Sequence, residues 1–185
     1  MLILLGESAS GKSSIVRHLV KEYGFKNIVT YTTRPPREGE KDGIDYHFIS
    51  EEQFLKYQAE GFFAETAVYR KWYYGSAKKD YMQESNKVVA VLTPHGLRQI
   101  KKNKLEVFSI YIAVPRRDRL IKILERGDDI EESYRRNLSD VGQFDGIMDE
   151  VNFTVANEKY NKSIKEMTST IYQIYKGTVK IYKRV

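Results

Sequence analysis

Leu2-Ile3-Leu4-Leu5 runs directly into Gly6-Glu7-Ser8-Ala9-Ser10-Gly11-Lys12-Ser13, and a helix-compatible segment follows over residues 14–22. An apolar run, a glycine-bounded loop and a helix, in that order, are the context that a G-x-x-x-x-G-K-[ST] phosphate loop requires. The spacing has a physical purpose. Gly6 and Gly11 let the backbone turn tightly, so that successive N–H groups converge on phosphate oxygens. The start of the following helix adds a partial positive charge. Lys12 is placed to reach the β- and γ-phosphates, and the Ser13 hydroxyl is placed to ligate Mg²⁺. The segment predicts a triphosphate site built from Gly6, Glu7, Ser8, Ala9, Ser10, Gly11, Lys12, Ser13 and Ser14.

Composition narrows the setting of that loop. A chain of 185 residues with 41% hydrophobic content predicts one domain with a packed core. No stretch has the apolar length of a membrane span. The N-terminal residues do not read as a signal peptide. Cysteine is absent, which excludes disulfides and thiolate metal sites. A soluble, cytoplasmic protein without a membrane partner is therefore expected. The net charge of +6 raises the question of nucleic acid, but the basic residues are scattered and no run of about five like charges occurs. Lys101-Lys102-Asn103-Lys104 reads as a solvated helix end. No nucleic-acid partner is expected.

Apolar runs and helical patterns alternate, which predicts an α/β fold around a mainly parallel sheet flanked by helices. Core strands are expected at 2–5, 87–92, 107–114 and 152–155. Val88-Val89-Ala90-Val91-Leu92 is continuous rather than alternating, as in a strand covered on both faces. Helices are expected at 14–22, 96–102, 116–125, 131–140 and 158–175. Ile164, Met167, Ile171 and Ile174 recur at helical spacing and read as a core stripe.

Residues 30–81 differ in texture, being rich in Tyr, Gly and charge. They contain short alternating pieces around Tyr46-His47-Phe48 and Trp72-Tyr73-Tyr74. A helix at 51–57 is signalled by the capping pattern of Ser50 and Gln53. This stretch reads as a small lobe inserted between the first two core strands, leaving 1–29 and 82–185 as the core. A second polar stretch, about 126–146, reads as a mobile cover.

The lobe carries Thr32-Thr33-Arg34-Pro35-Pro36-Arg37-Glu38-Gly39-Glu40, then Gly43-Ile44-Asp45-Tyr46-His47-Phe48, Gly61-Phe62-Phe63-Ala64-Glu65 and Tyr73-Tyr74-Gly75-Ser76. With the phosphate loop, and in this order, these segments resemble the guanylate kinase family over nearly the whole chain. The resemblance implies a P-loop kinase fold with an inserted NMP-binding lobe and a helical lid. It also implies ATP-dependent phosphorylation of GMP or dGMP, with Mg²⁺ as cofactor. By match to the family motifs, Arg34, Arg37, Tyr46 and Tyr74 would hold the acceptor phosphate. Glu65 and Ser76 would read guanine, and Thr30 stands where the family often has a base-contacting serine. Arg126 falls on a lid arginine that faces ATP, and Asn157 on an asparagine near the adenine. Lys12, Arg34 and Arg126 would stabilise the transferring phosphoryl.

The chemistry agrees with these roles. Two arginines three positions apart across a proline-stiffened loop can present paired N–H donors to a phosphate monoester. A carboxylate such as Glu65 can accept from guanine N1 and N2, an arrangement adenine does not satisfy. Phosphoryl transfer rests on positioning and charge neutralisation, so no acid–base dyad is needed, and His18, His47 and His95 read as structural or solvated. Trp72 and Tyr73 read as packing residues.

Three departures from the family pattern stand out. Glu7 occupies a usual proline position and is expected to point outward, away from the phosphates. The second core strand ends in Ala90-Val91-Leu92-Thr93-Pro94-His95-Gly96, without the aspartates the family supplies there. Thr93 is the candidate replacement for a base contact. A second lid arginine falls on Asn137, with Arg136 one residue earlier. One residue of helix rotates a side chain by about 100°, so Arg136 replaces it only where the helix is differently set. Two alternatives stay open: a kinase for another small phosphate acceptor, and a catalytically silent interaction module on the same fold.

Overall fold

The computed structural model describes residues 1–182 apart from 38, 70, 84, 86, 126 and 128. In chain order the elements are β1 (Leu2–Leu5), α1 (Lys12–Tyr23), β2 (Lys26–Asn27), β3 (Tyr31–Thr32), β4 (His47–Phe48), α2 (Glu51–Ala59), β5 (Phe63–Tyr69) and β6 (Trp72–Ala77). They continue with α3 (Lys78–Tyr81), β7 (Val88–Val91), α4 (Pro94–Lys102), β8 (Phe108–Ala113), α5 (Arg116–Glu125), α6 (Ile130–Ser139), α7 (Ile147–Glu150), β9 (Phe153–Ala156), a 3₁₀ turn (Glu158–Tyr160) and α8 (Ile164–Tyr182). No helix among the described residues is long and apolar enough to cross a membrane.

The four expected core strands all form, and with β2 added at one edge they build one parallel sheet in the order β2-β7-β1-β8-β9. β1 is central and wholly buried. Its alternate side chains face opposite layers, as the two-residue period of a strand dictates. Leu2 and Leu4 pack with Ile110 and Ile112 against Ile15 and Leu19 of α1 and Met167 and Ile171 of α8. Ile3 and Leu5 pack with Tyr111 against Leu97 and Ile100 of α4 and Ile147 of α7. Helices therefore cover both faces. Because the chain first builds to one side of β1 and later to the other, a crevice opens at the carboxyl ends of the strands, where ligands bind in open α/β sheets.

A second, four-stranded sheet, β4-β3-β6-β5, forms within residues 30–81, in the stretch read as an inserted lobe. Its core is aromatic: Phe54 of α2 is fully buried and stacks on Phe63 at 4.5 Å, and Tyr73 lies 5.3 Å from the same ring. Truncating a buried ring of this kind costs about 3–5 kcal/mol. Ser50 caps α2, its hydroxyl accepting from the Gln53 N–H at 3.1 Å as the capping pattern requires. The outer strand β5 is stitched to the core by α4. Gln99 exchanges two hydrogen bonds with the Thr66 backbone (2.9 and 2.7 Å), and Asn103 donates to the Ala64 carbonyl at 2.8 Å.

Helix boundaries depart from expectation at the C-terminal end. The helix expected over 158–175 is interrupted, since Lys159 and Tyr160 have positive φ (51° and 50°) and only the short turn forms there. The long helix starts afresh at Ile164. Ser163 caps it through a reciprocal pair: its hydroxyl accepts from the Glu166 N–H at 3.2 Å, and the Glu166 carboxylate accepts from the Ser163 N–H at 2.8 Å. Strands β2, β3 and β5 and the short helices α3 and α7 were not expected from the sequence.

Candidate active site

β1 delivers the chain into the phosphate loop at the head of the crevice. At Gly6 the packing leaves no room for a side chain, because a Cβ would lie 2.6 Å from Ser10 Oγ and 2.9 Å from the Ile112 carbonyl oxygen. Gly11, at φ 93°, turns the loop into α1. Lys12 curls back into the concavity. Its Nζ donates to the Gly6 carbonyl at 2.5 Å, the Glu7 carbonyl at 2.7 Å and Ser10 Oγ at 3.3 Å. Burial lowers the Lys12 ammonium to about 8, against the opposing pull of the Asp140 and Glu7 carboxylates. Tyr160 braces the loop from outside by donating its hydroxyl to the Ala9 carbonyl at 2.8 Å.

Glu7 points away from the cleft, as expected, but into the protein rather than into solvent. Its carboxylate turns inward, accepting from the Tyr111 hydroxyl at 2.9 Å and facing Arg119 Nη2 at 3.4 Å. A buried guanidinium behind the loop offers a stronger partner than solvent, and that partner is far away in sequence. Asp140, at the end of α6, reaches the same loop and accepts from the Ser8 N–H at 2.7 Å.

Arg34, Arg37, Tyr46 and Tyr74 line a cleft of about 780 Å³ together with Glu40. Arg34 is held ready: its Nη2 contacts both Glu40 oxygens at 2.8 Å, and its guanidinium lies over the Tyr46 and Phe48 rings at 5.3 and 5.8 Å. Glu40 also accepts from the Arg37 N–H at 2.7 Å. Gly6, Ser8 and Lys12 line the same cleft, as do Thr30, Glu65, Thr93 and Arg136.

Glu65 is placed by the β5–β6 hairpin. The two strands shift register between Phe63 and Glu65, after which Glu65 pairs with Ser76. Such a bulge re-aims a side chain. Ser76 donates to Glu65 Oε1 at 2.6 Å, and its oxygen lies 2.7 Å from the Tyr81 hydroxyl. Burial raises the Glu65 pKa, while the hydrogen bonds from Ser76 oppose that rise. Glu65 Oε2 points to Gly96, where a Cβ would stand only 3.0 Å away. Ser76 itself is fully buried and does not border the cleft, so it supports Glu65 from behind.

The remaining candidates divide. Thr93 borders the cleft, yet its oxygen is engaged as the cap of α4, accepting from the Gly96 N–H at 3.1 Å. His95, read as structural or solvated, borders the cleft. Arg136 faces the cleft, whereas Asn137 is buried on another side of α6, where it accepts from Arg116 Nε at 2.8 Å. Asn157 does not border the cleft, and both ends of its carboxamide are bound to the Lys162 backbone (3.1 and 3.0 Å). Arg126 lies outside the described residues. Glu40, Tyr81, Tyr111, Arg119 and Asp140 were missed by the sequence reading. Only Glu40 carried a local signal, as the end of the motif that begins at Thr32.

A glycine-bounded loop and paired arginines on one cleft suit transfer between two phosphates. That arrangement, on a parallel sheet accompanied by a second four-stranded sheet, is the architecture of a P-loop nucleoside monophosphate kinase. The family model for guanylate kinase matches residues 1–174, and the chain belongs to the guanylate kinase family. It is 36% identical over 148 residues to the guanylate kinase of Nitratidesulfovibrio vulgaris, covering 77% of this chain and 72% of that one. It is 30% identical over 182 residues to that of Schizosaccharomyces pombe, covering 90% and 87%. Among solved structures, guanylate kinase from Anaplasma phagocytophilum superposes with a TM-score of 0.69 at 24% identity, over 96% of this chain and 85% of that one.

Proposed function

We propose that the chain catalyses ATP-dependent phosphorylation of GMP or dGMP in the cytoplasm, with the residues of the cleft in the roles that follow. The 6–14 loop and Lys12 hold the triphosphate. Arg34, Arg37, Tyr46 and Tyr74 hold the acceptor phosphate, and Thr30 and Glu65 face the base, with Ser76 orienting the carboxylate. An anionic oxygen of the acceptor phosphate attacks the γ-phosphorus, the bond from that phosphorus to the β-bridging oxygen breaks, and ADP leaves with the electron pair. No proton has to move for the transfer itself. Lys12, Arg34 and the lid arginines Arg136 and Arg126 offset the charge that spreads over the transferring group. Closure of the lid over about 126–146 would exclude water and suppress ATP hydrolysis.

Mg²⁺ fits this site in the manner usual for phosphoryl transfer. No group of three or more acidic or histidine side chains able to hold a metal occurs among the described residues. Ser13 Oγ at the start of α1 would hold the ion together with triphosphate oxygens and water, a set Mg²⁺ accepts. Bound there, the ion would neutralise charge on the β- and γ-phosphates.

One observation carries the reading: the acceptor arginines and tyrosines, the base-facing carboxylate and the phosphate-loop lysine all line a single cleft. The intact loop geometry weighs against a silent module. A coupled assay with purified protein, ATP, Mg²⁺ and each nucleoside monophosphate tests the proposal. Turnover confined to GMP and dGMP is the expected result, and absence of turnover with both overturns it. Equal turnover of several acceptors would favour the second kinase reading, which the missing strand-end aspartates keep alive.

A further inference from the structure

Arg119 belongs to none of the motifs that identify the family, yet it is buried (4% exposed) and touches three parts of the molecule. Nε donates to the Val114 carbonyl after β8 at 3.0 Å, and Nη1 donates to the Ser8 carbonyl of the phosphate loop at 3.2 Å. Nη2 faces Glu7 Oε1 at 3.4 Å, and Nη1 stands 3.8 Å from Asp140 Oδ2. Glu7 and Arg119 border a separate cavity rather than the cleft that Gly6, Ser8 and Lys12 line, so the guanidinium lies behind the loop. Asp140 borders both spaces and holds the Ser8 N–H at 2.7 Å.

This is an unusual charge arrangement for an anion site. Two carboxylates, each with a side chain about one-sixth exposed (15% and 16%), stand against a loop that must receive a triphosphate. In a setting sheltered from water their repulsion of the incoming phosphates is weakly screened. Lys12 opposes them from inside the loop and Arg119 from behind it, and the four formal charges cancel. Lys12 alone would leave the site net negative before any nucleotide arrived.

We propose that Arg119 is a positioning residue for the donor nucleotide: it is the counter-charge that offsets Glu7 behind the loop and Asp140 beside it, and so allows this loop to bind MgATP. The inference rests on the ATP-binding role assigned to the loop above. It assigns a reason to Glu7 at a position where the family usually carries proline. A carboxylate is tolerable in the loop because a buried guanidinium stands directly behind it.

Titration calorimetry with MgATP, and separately with GMP, on wild type, R119K, R119L and the triple variant R119L/E7Q/D140N tests this. R119L is expected to weaken MgATP binding tenfold or more while leaving the GMP dissociation constant within twofold. R119K, which keeps the charge, should fall between wild type and R119L. The triple variant, freed of the uncompensated carboxylates, should return to within threefold of wild-type MgATP affinity. Equal weakening of both nucleotides by R119L, or a triple variant that binds MgATP no better than R119L, overturns the proposal. Where R119L does not fold, the triple variant decides alone: recovery of MgATP binding supports the counter-charge, and its failure overturns it. A wild-type protein that binds no MgATP would instead overturn the kinase reading, independently of the variants.

Discussion

The hydroxyl of Ser76 donates to Glu65 Oε1 at 2.6 Å, across a register pair of β5 and β6 that exists only because the strands shift by a bulge at Phe63. One carboxylate oxygen is thereby tied to the lobe, and the other, Oε2, is aimed past Gly96 on the core. The lobe and the core thus share the definition of one acceptor group. On the proposed reading, that group meets guanine N1 and N2.

Glu65→Gln should therefore cripple use of GMP while sparing ATP. The amide offers a donor where guanine also presents donors, so kcat/KM for GMP is expected to fall by about 10³-fold or more, with KM for ATP within twofold. Steady-state kinetics with each substrate varied in turn reads this out. A loss shared equally by both substrates would contradict the assignment.

Gly96→Ala separates geometry from stability. The new Cβ would lie 3.0 Å from Glu65 Oε2 and push the carboxylate by a few tenths of an ångström. Alanine in a helix is favoured over glycine by about 0.5–1 kcal/mol. KM for GMP should rise several-fold while the unfolding midpoint stays level or rises. A fall in the midpoint with unchanged KM would show that the close approach has no functional weight.

Helix α6 offers a paired test. Arg136 borders the cleft, so Arg136→Ala should lower kcat by about 10²-fold or more, as loss of one charge-stabilising donor does. Asn137→Arg would restore the residue type usual in the family but at a buried position already facing Arg116. It should destabilise the protein and yield no gain in kcat. Recovery of activity in the double variant Arg136→Ala/Asn137→Arg would reverse the assignment.

Lys12 predicts a pH dependence. Its folded-state pKa of about 8 lies below the 10.5 of an exposed lysine, so between those values the unfolded chain binds the extra proton. By linkage, the contribution of Lys12 makes folding stability rise as pH increases through that window. Binding of MgATP favours the charged ammonium, so the affinity should fall as pH rises above about 8 and binding there should take up a proton. Calorimetry at pH 8.5 in two buffers of different ionisation enthalpy measures that uptake directly.

Features written in short stretches of chain were legible from sequence. The β1–loop–α1 unit, the doubly covered β7 and the Ser50 cap each follow from neighbouring residues. The same holds for Arg34, Arg37, Tyr46, Glu65 and Tyr74, which share the cleft. What escaped is long-range. β2 has only two residues, Lys26 and Asn27, too few to show any period, and it exists because β7 offers an edge. The break before α8 depends on Asn157 binding the Lys162 backbone. The inward turn of Glu7 depends on Tyr111 and Arg119, more than a hundred residues away. No local pattern announces such a partner.

The position of β1 at the centre of the parallel sheet has a consequence for synthesis. Leu2 pairs with Val89 on one side and Phe108 on the other. On a ribosome extending the chain by about 5–20 residues per second, this apolar strand waits for several seconds or longer before either neighbour emerges. Throughout that interval the second sheet, with its own aromatic core, can complete its packing inside the open connection. The strand most deeply buried in the finished sheet is thus, during birth, the one exposed longest without its neighbours.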